Sequence, residues 1–325
     1  MSSTQSKFPS ASREDWHALI SAALKGGDPQ SLDRLDEDGL AIKALYDIAS
    51  YAVASPNACA ITRLPVSPTS HIAHGWDICQ PIMANGSAKD INRLILDELQ
   101  DGVGTIWLQG LQTAGLAGHL PAMMQDVVFD AAGIYLDAGN NAIAQIAAFA
   151  DFAKKADTNL AASRFHANID PFAPAADADL LASAFAYFVS ADVGDVPPDM
   201  FRAQGWQWHN QGMTAVQELA YILASLTEIL RQGMARDIDP ARLAKHMSAS
   251  LALPADLFDG IAKCRALRRG WGGIVSALGL DPDAHRLFIH GAVSIRMFST
   301  VDSEVNMLRT TTALLGGAIG GADQI

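Results

Sequence analysis

A histidine in a polar run between apolar segments is the first candidate for chemistry in this sequence. It is His209, within Trp208-His209-Asn210-Gln211-Gly212. An imidazole can hydrogen-bond a carbonyl or exchange a proton near neutral pH. A buried histidine whose ring is satisfied by backbone groups fits the same pattern, and it is the interpretation we favour. His209 is therefore a weak catalytic candidate.

Carboxylates form a second group of candidates. Asp137 and Asp170 each follow a predicted strand, which is where barrel enzymes carry their chemistry. A pair of carboxylates could act as acid and base, but each aspartate could equally cap the next helix. His71 and His74 are close in sequence, yet two histidines without a third ligand seldom hold a metal, and we expect them to be exposed. The sequence predicts no metal site.

Basic residues cluster in one predicted helix. Lys263, Arg265, Arg268 and Arg269 could together meet the phosphates of a polyanionic ligand. Helical spacing turns them to different sides, which favours salt bridges to the rest of the domain or to a partner. The sequence contains no Gly-x-Ser-x-Gly elbow, no P-loop and no Gly-x-Gly-x-x-Gly turn after a strand, and its three cysteines have neither metal-ligand nor disulfide spacing.

Composition limits the class of protein. Hydrophobic residues make up 50% of the 325 residues and charged residues 18%, which is the balance of a globular protein with a large core. The net charge of −12 repels nucleic acid. No apolar run is long enough to span a membrane, and the first residues lack the apolar stretch of a signal peptide. We expect a cytoplasmic protein that binds neither nucleic acid nor membrane.

The elements that would position these residues alternate along the chain. Short strands are predicted at Trp76–Gln80, Val103–Leu108, Ile134–Leu136, Arg164–Ile169, Trp206–Trp208, Leu243–Leu251 and Leu287–Ile295. Helices are predicted near Lys89–Gln100, Asn141–Lys155, Ala178–Val189, Ala215–Gln232, Pro254–Leu278 and Ser303–Leu315. Such alternation is typical of parallel βαβ units.

A uniform series of these units favours a (β/α) barrel of the TIM type over residues 71–325. An open doubly wound sheet is the alternative, and the missing glycine-rich turn speaks against it. Ala322–Ile325 has the character of the start of an eighth strand, so we expect the barrel to be incomplete or weakly closed there. Residues 1–70 are predicted to form a helix from Ser12 to Lys25 and then an extended arm.

Several segments, in the same order along nearly the whole chain, resemble the cobalamin-dependent acyl-CoA mutase family, and within it the small subunit of methylmalonyl-CoA mutases. Trp76–Gln80 is similar to the family's first strand, and Trp208–Asn210 with Gln217–Ala220 is similar to its fifth strand and following helix. Ile261–Arg269 is similar to its Ile-Ala-Lys-x-Arg-Ala-x-Arg helix, and Asn306–Thr311 with Gly320–Asp323 to its penultimate helix and final strand. Segments between Phe8 and Tyr46 are similar to the N-terminal arm of the small subunit.

The resemblance implies a barrel without its own cobalamin-binding domain, in a heterodimer with a large catalytic subunit that holds adenosylcobalamin. This chain is then expected to bind no cofactor. In catalytic subunits a tyrosine follows the glutamine of the first strand; here Pro81 follows Gln80, so Gln80 is only a weak catalytic candidate. The family's histidine lies in a Tyr-His…Glu-Ala-Gly pattern, which His209 matches in a shorter form without the acid. The cobalt-binding Asp-x-His-x-x-Gly motif is approached only around His285, which we expect in a turn before a strand.

Three functions are open at this point. The first is a structural subunit that stabilises a catalytic partner, which interconverts succinyl-CoA and methylmalonyl-CoA. The second is an acyl-CoA mutase barrel that uses adenosylcobalamin held by a separate chain; Pro81 and the missing acid near His209 speak against it. The third is an unrelated ligand-binding barrel, which the ordered motifs disfavour. Bulky side chains filling the barrel axis would favour the first function, and a pore lined by small polar residues the second.

Overall fold

The computed structural model describes residues 11–47, 75–129, 131–158, 160–161 and 163–325. The packing divides the chain into two compact units, Met1–Ala58 and Cys59–Ile325. The predicted boundary between residues 70 and 71 lies outside the described residues. So do the pair His71 and His74 and the arm from residue 48 onward.

In the first unit a helix begins where the sequence predicts it. Helix α1 (Arg13–Ala23) starts after Ser12, whose Oγ accepts a hydrogen bond from the backbone N–H of Asp15. The Asp15 carboxylate accepts one from the Ser12 N–H in return. This capping box satisfies two of the N–H groups that a helix start leaves open. A short antiparallel hairpin of β1 (Arg34–Leu35) and β2 (Ala41–Ile42) follows.

The second unit is built on one sheet of seven parallel strands, each paired with the next in the sequence. In chain order they are β3 (Cys79–Met83), β4 (Thr105–Gln109), β5 (Gly133–Leu136), β6 (Phe165–Ile169), β7 (Asp199–Gln204), β8 (Met247–Leu253) and β9 (Phe288–Val293). Strand order that follows chain order is what successive βαβ units produce. The predicted parallel α/β architecture is confirmed to this extent.

Helices connect the strands of this sheet. They are α2 (Ala88–Gln100), α3 (Leu116–Met123), α4 (Ala142–Lys155), α5 (Leu180–Ser190), α6 (Gly205–Asn210), α7 (Ala215–Met234), α8 (Pro240–Ala244), α9 (Leu257–Ala277) and α10 (Val305–Gly320). Single 3-10 turns lie at Pro29–Leu32, Gly139–Asn141, Val193–Asp195 and Ile295–Met297. None of the described helices is long and apolar enough to cross a membrane.

The long helix α7 shows why these segments are helical and how they pack. Thr214 and Gln217 form a capping box at its start. Ile222, Leu226 and Ile229 recur at helical spacing and are fully buried against the sheet. Such burial of one apolar stripe is the main source of stability for a helix of this kind.

The sheet curls until the last residues of the chain touch both of its edges. On one side Ile325 N donates to Asp77 O at 2.8 Å and Cys79 N donates to Ile325 O at 2.9 Å. On the other side Gly291 N donates to Gln324 O at 2.8 Å. These contacts are isolated bridges and not an eighth strand. The structure thus establishes a curled seven-stranded sheet with flanking helices, and the complete eight-stranded barrel stays a prediction.

The predicted strand at Trp206–Trp208 is wrong. These residues lie in helix α6, and the strand is the preceding segment, β7. In β7 the polar residues Asp199, Arg202 and Gln204 interrupt the apolar ones, so the segment lacks an apolar signal although every residue in it is buried. The predicted strand Leu243–Leu251 also starts too early, because its first two residues belong to α8.

Candidate functional site

Large side chains fill the space that the curled sheet encloses. The ring centroid of Trp107 on β4 lies 5.8 Å from that of Trp206 and 5.9 Å from that of His290 on β9. Tyr135 on β5 lies 4.9 Å from Trp107 and 5.0 Å from His290. Because β4 and β9 are not neighbours in the sheet, their side chains meet only across the enclosed space. The middle of the space enclosed by the sheet is therefore occupied by aromatic and imidazole rings.

An arginine is buried among these rings. Arg202 on β7 donates from Nε to Ser248 Oγ at 2.8 Å and from Nη2 to the Asp199 carboxylate. Its guanidinium carbon lies 4.6 Å from the Tyr135 ring centroid, a cation–π contact. His166 Nδ1 lies 2.9 Å from Asp199 Oδ2. The interior cluster consists of Trp107, Tyr135, His166, Asp199, Arg202 and His290.

Burial sets the protonation of the interior cluster. It lowers the pKa of His166, against the pull of the neighbouring Asp199, and it lowers the pKa of His290 well below the usual range. Burial alone would raise the pKa of Asp199, but the charge of Arg202 and the hydrogen bond with His166 hold that pKa below its ordinary value. Near neutral pH the cluster thus contains neutral imidazoles around one ion pair.

A second cluster surrounds His209 beyond the C-terminal ends of β7 and β9. Helix α6 follows directly on β7 and carries His209, while Ser294 follows β9. His209 Nε2 lies 3.0 Å from Ser294 Oγ, and Nδ1 lies 3.4 Å from Glu218 Oε2. Arg296 Nη1 donates to the His209 carbonyl at 3.2 Å. The motif around His209 contains no acid, but helix α7 brings the Glu218 carboxylate next to the His209 ring.

Glu218 is held by partners other than His209. Its Oε1 accepts from Ala252 N at 2.7 Å, and its Oε2 accepts from Lys263 Nζ at 2.6 Å. Lys263 Nζ also donates to Ala252 O at 2.7 Å. Burial raises the pKa of Glu218, against the lowering effect of Lys263. This buried ion pair, which we call the strand clamp, ties α7 and α9 to the end of β8.

His209 is a neutral, packed histidine at physiological pH. Burial, together with the charges of Lys263 and Arg296, lowers its pKa to about 4. The His209 ring lies next to the side chains of Ser294 and Glu218, and not next to the backbone groups that the sequence suggested. The other weak candidate, Gln80, is half-buried in β3, and the exposed Pro81 follows it. In the described part of the chain no hydrogen bond joins Gln80 to His209.

Asp170 links three elements and does not cap the next helix. Its carboxylate accepts hydrogen bonds from the backbone N–H groups of Phe172 at 3.0 Å and Gln204 at 2.8 Å. The hydroxyl of Tyr221 on α7 donates to it at 3.2 Å. Burial raises the pKa of Asp170. Asp137 is exposed, so the two predicted carboxylates differ in environment.

The basic residues of α9 separate as helical spacing predicts. Lys263 and Arg268 are buried, and Arg268 pairs with Asp323 at 2.6 Å. Arg265 and Arg269 are exposed on another side of the helix. The prediction of salt bridges within the domain is therefore confirmed for two of the four residues.

His285 lies in the turn before β9, as the sequence predicts. Its Nδ1 is 3.0 Å from the carbonyl oxygen of Asp281, and its own carbonyl accepts a hydrogen bond from Trp271 Nε1 at 2.7 Å. The residue is 9% exposed. Among the described residues no group of three or more His, Cys, Asp or Glu side chains could hold a metal ion.

Sequence reasoning misses the interior cluster. The enclosed face of the sheet has a partial signal in the sequence, a polar residue at every second position of a strand, which puts those residues on one face. His166 and Asn168 follow this pattern on β6, and Ser248 and Ser250 follow it on β8. In a parallel sheet covered by helices, such a face can only point to the enclosed side.

Two comparisons with known proteins point to the same family. A family model described as Methylmalonyl-CoA mutase matches residues 165–325. The methylmalonyl-CoA mutase small subunit of Streptomyces virginiae is 30% identical, over 99% of this chain and 54% of the relative. The probable methylmalonyl-CoA mutase small subunit of Mycobacterium bovis is 28% identical, over 94% of this chain and 50% of the relative.

A methylmalonyl-CoA mutase of Escherichia coli matches a shorter stretch, 28% identical over 37% of this chain and 17% of the relative. The chain spans about half the length of the small subunits that it matches. The family model and these relatives, which align along nearly the whole chain, agree that the chain is similar to methylmalonyl-CoA mutases and, among them, to the proteins named small subunits.

Proposed function

We propose that the chain acts as a non-catalytic small subunit that stabilises a large, catalytic methylmalonyl-CoA mutase subunit in a heterodimer. The large subunit would isomerise succinyl-CoA and methylmalonyl-CoA. The filled interior of the sheet carries this proposal. Trp107, Tyr135 and His290 meet across the enclosed space, so a pantetheine arm that ran along this axis would have to displace packed rings.

The alternative is a catalytic mutase barrel that uses adenosylcobalamin held by a separate chain. His209 with Ser294 and Glu218 is the feature that favours it, because these groups lie beyond the C-terminal ends of the strands. Against it, Glu218 is bound by Lys263 and Ala252, and Ser294 is 2% exposed. The arrangement supports a packed structural role better than contact with a substrate.

Within the part of the chain that the structure describes, the residues around the closest match to the lower-ligand motif do not fit a cobalt ligand. His285 is the nearest approach to the lower-ligand motif, and it is enclosed between Asp281 and Trp271 with 9% of its surface exposed. No reaction step is therefore assigned to cobalamin on this chain. We propose that adenosylcobalamin reaches the complex through the large subunit.

The exposure of apolar side chains in the first unit supports the proposed association with a large subunit. None of residues 11–47 is buried, although the segment carries apolar side chains. Leu19 is 72% exposed and Leu35 is 70% exposed. Exposed apolar side chains are stabilised when another protein surface buries them. We therefore propose that this part of the predicted arm lies on the large subunit.

We also infer that the curled sheet corresponds to an eight-stranded barrel, with residues 323–325 in the place of the eighth strand. The support is that their backbone groups bond to both edge strands. The Asp77 and Gly291 amides donate to this segment, so removing residues 323–325 should speed their hydrogen exchange. Unchanged exchange would contradict the inference.

Assays on three preparations test the function: this chain, the large mutase subunit of the same organism, and their mixture. We expect no cobalamin binding and no mutase turnover by this chain alone. We expect the mixture to form a heterodimer whose large subunit melts at a higher temperature than when alone. Micromolar cobalamin binding or turnover above background by this chain would overturn the proposal in favour of the catalytic alternative. Failure of the two chains to associate would overturn the role as a subunit.

A further inference from the structure

The link between strand β3 and helix α2 contains the one Asn-Gly pair of the sequence, Asn85-Gly86. Asparagine is among the thermally labile residues, because the backbone nitrogen of the next residue can attack its side-chain amide carbon. A side chain on that next residue hinders the attack, and glycine has none. How fast the reaction runs in a folded protein then depends on how firmly the pair is held.

The Asn-Gly pair lies between two firmly held residues but is not held itself. Ala84 is 4% exposed, and its N–H donates to Gln109 O at 2.7 Å. Ser87 caps helix α2 by accepting a hydrogen bond from Asp90 N at 3.2 Å. Both residues of the pair are exposed. In the described part of the chain neither the asparagine side chain nor the glycine N–H has a hydrogen-bond partner.

The pair also has the conformational freedom that the reaction needs. Ring closure brings the glycine nitrogen onto the Asn85 Cγ, a backbone arrangement that neither a regular helix nor a strand offers. Strand β3 ends at Met83 and helix α2 begins at Ala88, so the pair lies outside both. A Cβ built on Gly86 would find one atom within 4 Å beyond its chain neighbours, Asp90 Cβ at 3.8 Å. The pair can therefore reach the reactive arrangement without unfolding either element.

We propose that Asn85 is a site of spontaneous modification, at which the folded chain converts asparagine into aspartate and isoaspartate. The Gly86 nitrogen bonds to Asn85 Cγ, and the side-chain amine leaves as ammonia with the proton from that nitrogen. The result is a five-membered succinimide ring. Water then adds to one of the two ring carbonyl carbons and breaks its bond to nitrogen. Addition at Cγ gives aspartate, and addition at the backbone carbonyl gives isoaspartate, with water as the only co-reactant.

The modified chain should remain folded. Both products add one negative charge three residues before Ala88, the first residue of α2, and a helix N-terminus favours negative charge. Isoaspartate also lengthens the backbone by one carbon, which an exposed pair without hydrogen bonds can absorb. Folded chains thus become more acidic with age, and this inference does not depend on the proposed partner.

Prolonged incubation of the purified chain at neutral pH tests the proposal. Samples are digested with trypsin in mild acid, and mass spectrometry follows the peptide of residues 64–89, in which Asn85 is the only asparagine. We expect the peptide to gain about 1 Da and to separate into two products, which electron-transfer fragmentation identifies as aspartate and isoaspartate. Asn168 and Asn306 are internal controls, because their side chains donate to backbone carbonyls and should stay unmodified.

Gly86→Ala is the matched variant, since the backbone of Gly86 lies outside the left-handed region and an added Cβ has room. It should slow the modification at least about tenfold, equivalent to about 1.4 kcal/mol of activation free energy. The urea-unfolded chain, incubated in parallel, shows the rate without the fold. A folded chain that stays unmodified while the unfolded chain is converted would overturn the proposal. Equal rates in the variant and the unmodified chain, or equal conversion of Asn168, would overturn it as well.

Discussion

Trp107 and His290 stand on the second and the seventh strand of the sheet, yet their ring centroids are 5.9 Å apart with the rings nearly perpendicular. Edge-to-face contact at this distance is a favourable aromatic geometry. It also means that the two sides of the curled sheet are joined by side chains through the middle. In this protein the rings of Trp107, Tyr135 and His290 make the middle of the enclosed space part of the core.

Replacing Trp107 by alanine should strongly lower the free energy of unfolding. The residue is 8% exposed and contacts Tyr135, Trp206 and His290. Removing a buried tryptophan leaves a cavity and costs about 3–5 kcal/mol of unfolding free energy. Urea denaturation followed by circular dichroism measures it. Phe258→Ala, at a side chain that is 77% exposed, should change stability by less than about 0.5 kcal/mol. Equal losses in both variants would show that the interior is not packed.

Removing one partner of the strand clamp should lower the free energy of unfolding more than removing both partners. Lys263→Met leaves the Glu218 carboxylate buried without its cation, which costs about 3–5 kcal/mol. Glu218→Gln combined with Lys263→Met leaves no buried charge and should recover most of that loss. Thermal melting of the two variants beside the unmodified chain makes the comparison. A double variant as unstable as the single one would argue against the clamp.

The strand clamp also predicts a pH dependence for the Lys263→Met variant. Without Lys263, burial is opposed mainly by the hydrogen bond from the Ala252 N–H, and the pKa of Glu218 in the folded state rises further above its ordinary value of 4.5. A carboxyl with a raised folded-state pKa stabilises the fold at low pH and loses this effect as pH rises through that pKa. The defect of the variant should therefore be smaller at pH 5 than at pH 8. A defect that grows on acidification would contradict this assignment.

His209 should make the protein less stable in mild acid. Its pKa of about 4 lies below the ordinary 6.5, so the unfolded chain binds a proton between these values and the folded chain does not. The contribution of His209 to the free energy of unfolding is then fully present above pH 6.5 and is lost as pH falls toward 4. The loss from this residue is roughly 3 kcal/mol. His209→Gln should show a shallower decline in denaturation curves collected across this range. An identical slope in both proteins would mean that His209 titrates normally.

Deleting residues 1–65 should leave the second unit folded and abolish binding to the large subunit. The strands of the sheet start only at Cys79, and the described part of the first unit buries none of its side chains. A pull-down with the large subunit, run beside circular dichroism of the truncated chain, is the measurement. Binding by a folded truncation would reject the proposed arm. A truncation that unfolds would show that the segment packs on its own domain.

How far the sequence predicts this fold depends on what each segment buries. Helices with one apolar stripe, such as Ala142–Lys155 and Ala215–Met234, are found within about two residues at either end. Ile134–Leu136 is found because all of its residues are apolar. The failure at Asp199–Gln204 has a physical cause: this strand carries polar groups whose partners come close only in the folded sheet, such as Ser248 for Arg202 and His166 for Asp199.

The candidate site shows the same limit. The sequence motif around His209 contains no acid, and Glu218 reaches it from helix α7 only after the chain has folded. Likewise, nothing in the sequence near Trp107 or His290 indicates that the two rings meet. Order and spacing within a segment can be predicted, whereas contacts between strands that are distant in the sheet depend on its curvature.

The bond between Gln324 and Asp77 joins residues 247 positions apart, and this separation has a consequence for biosynthesis. At translation rates of 5–20 residues per second, Asp77 is synthesised roughly 12–50 s before Gln324. During that interval the outer edge of β3 has no neighbour on that side, and unpaired edges recruit strands from other chains. Until Gln324 and its neighbours are synthesised, this edge of the new chain is therefore open to pairing with strands of other chains.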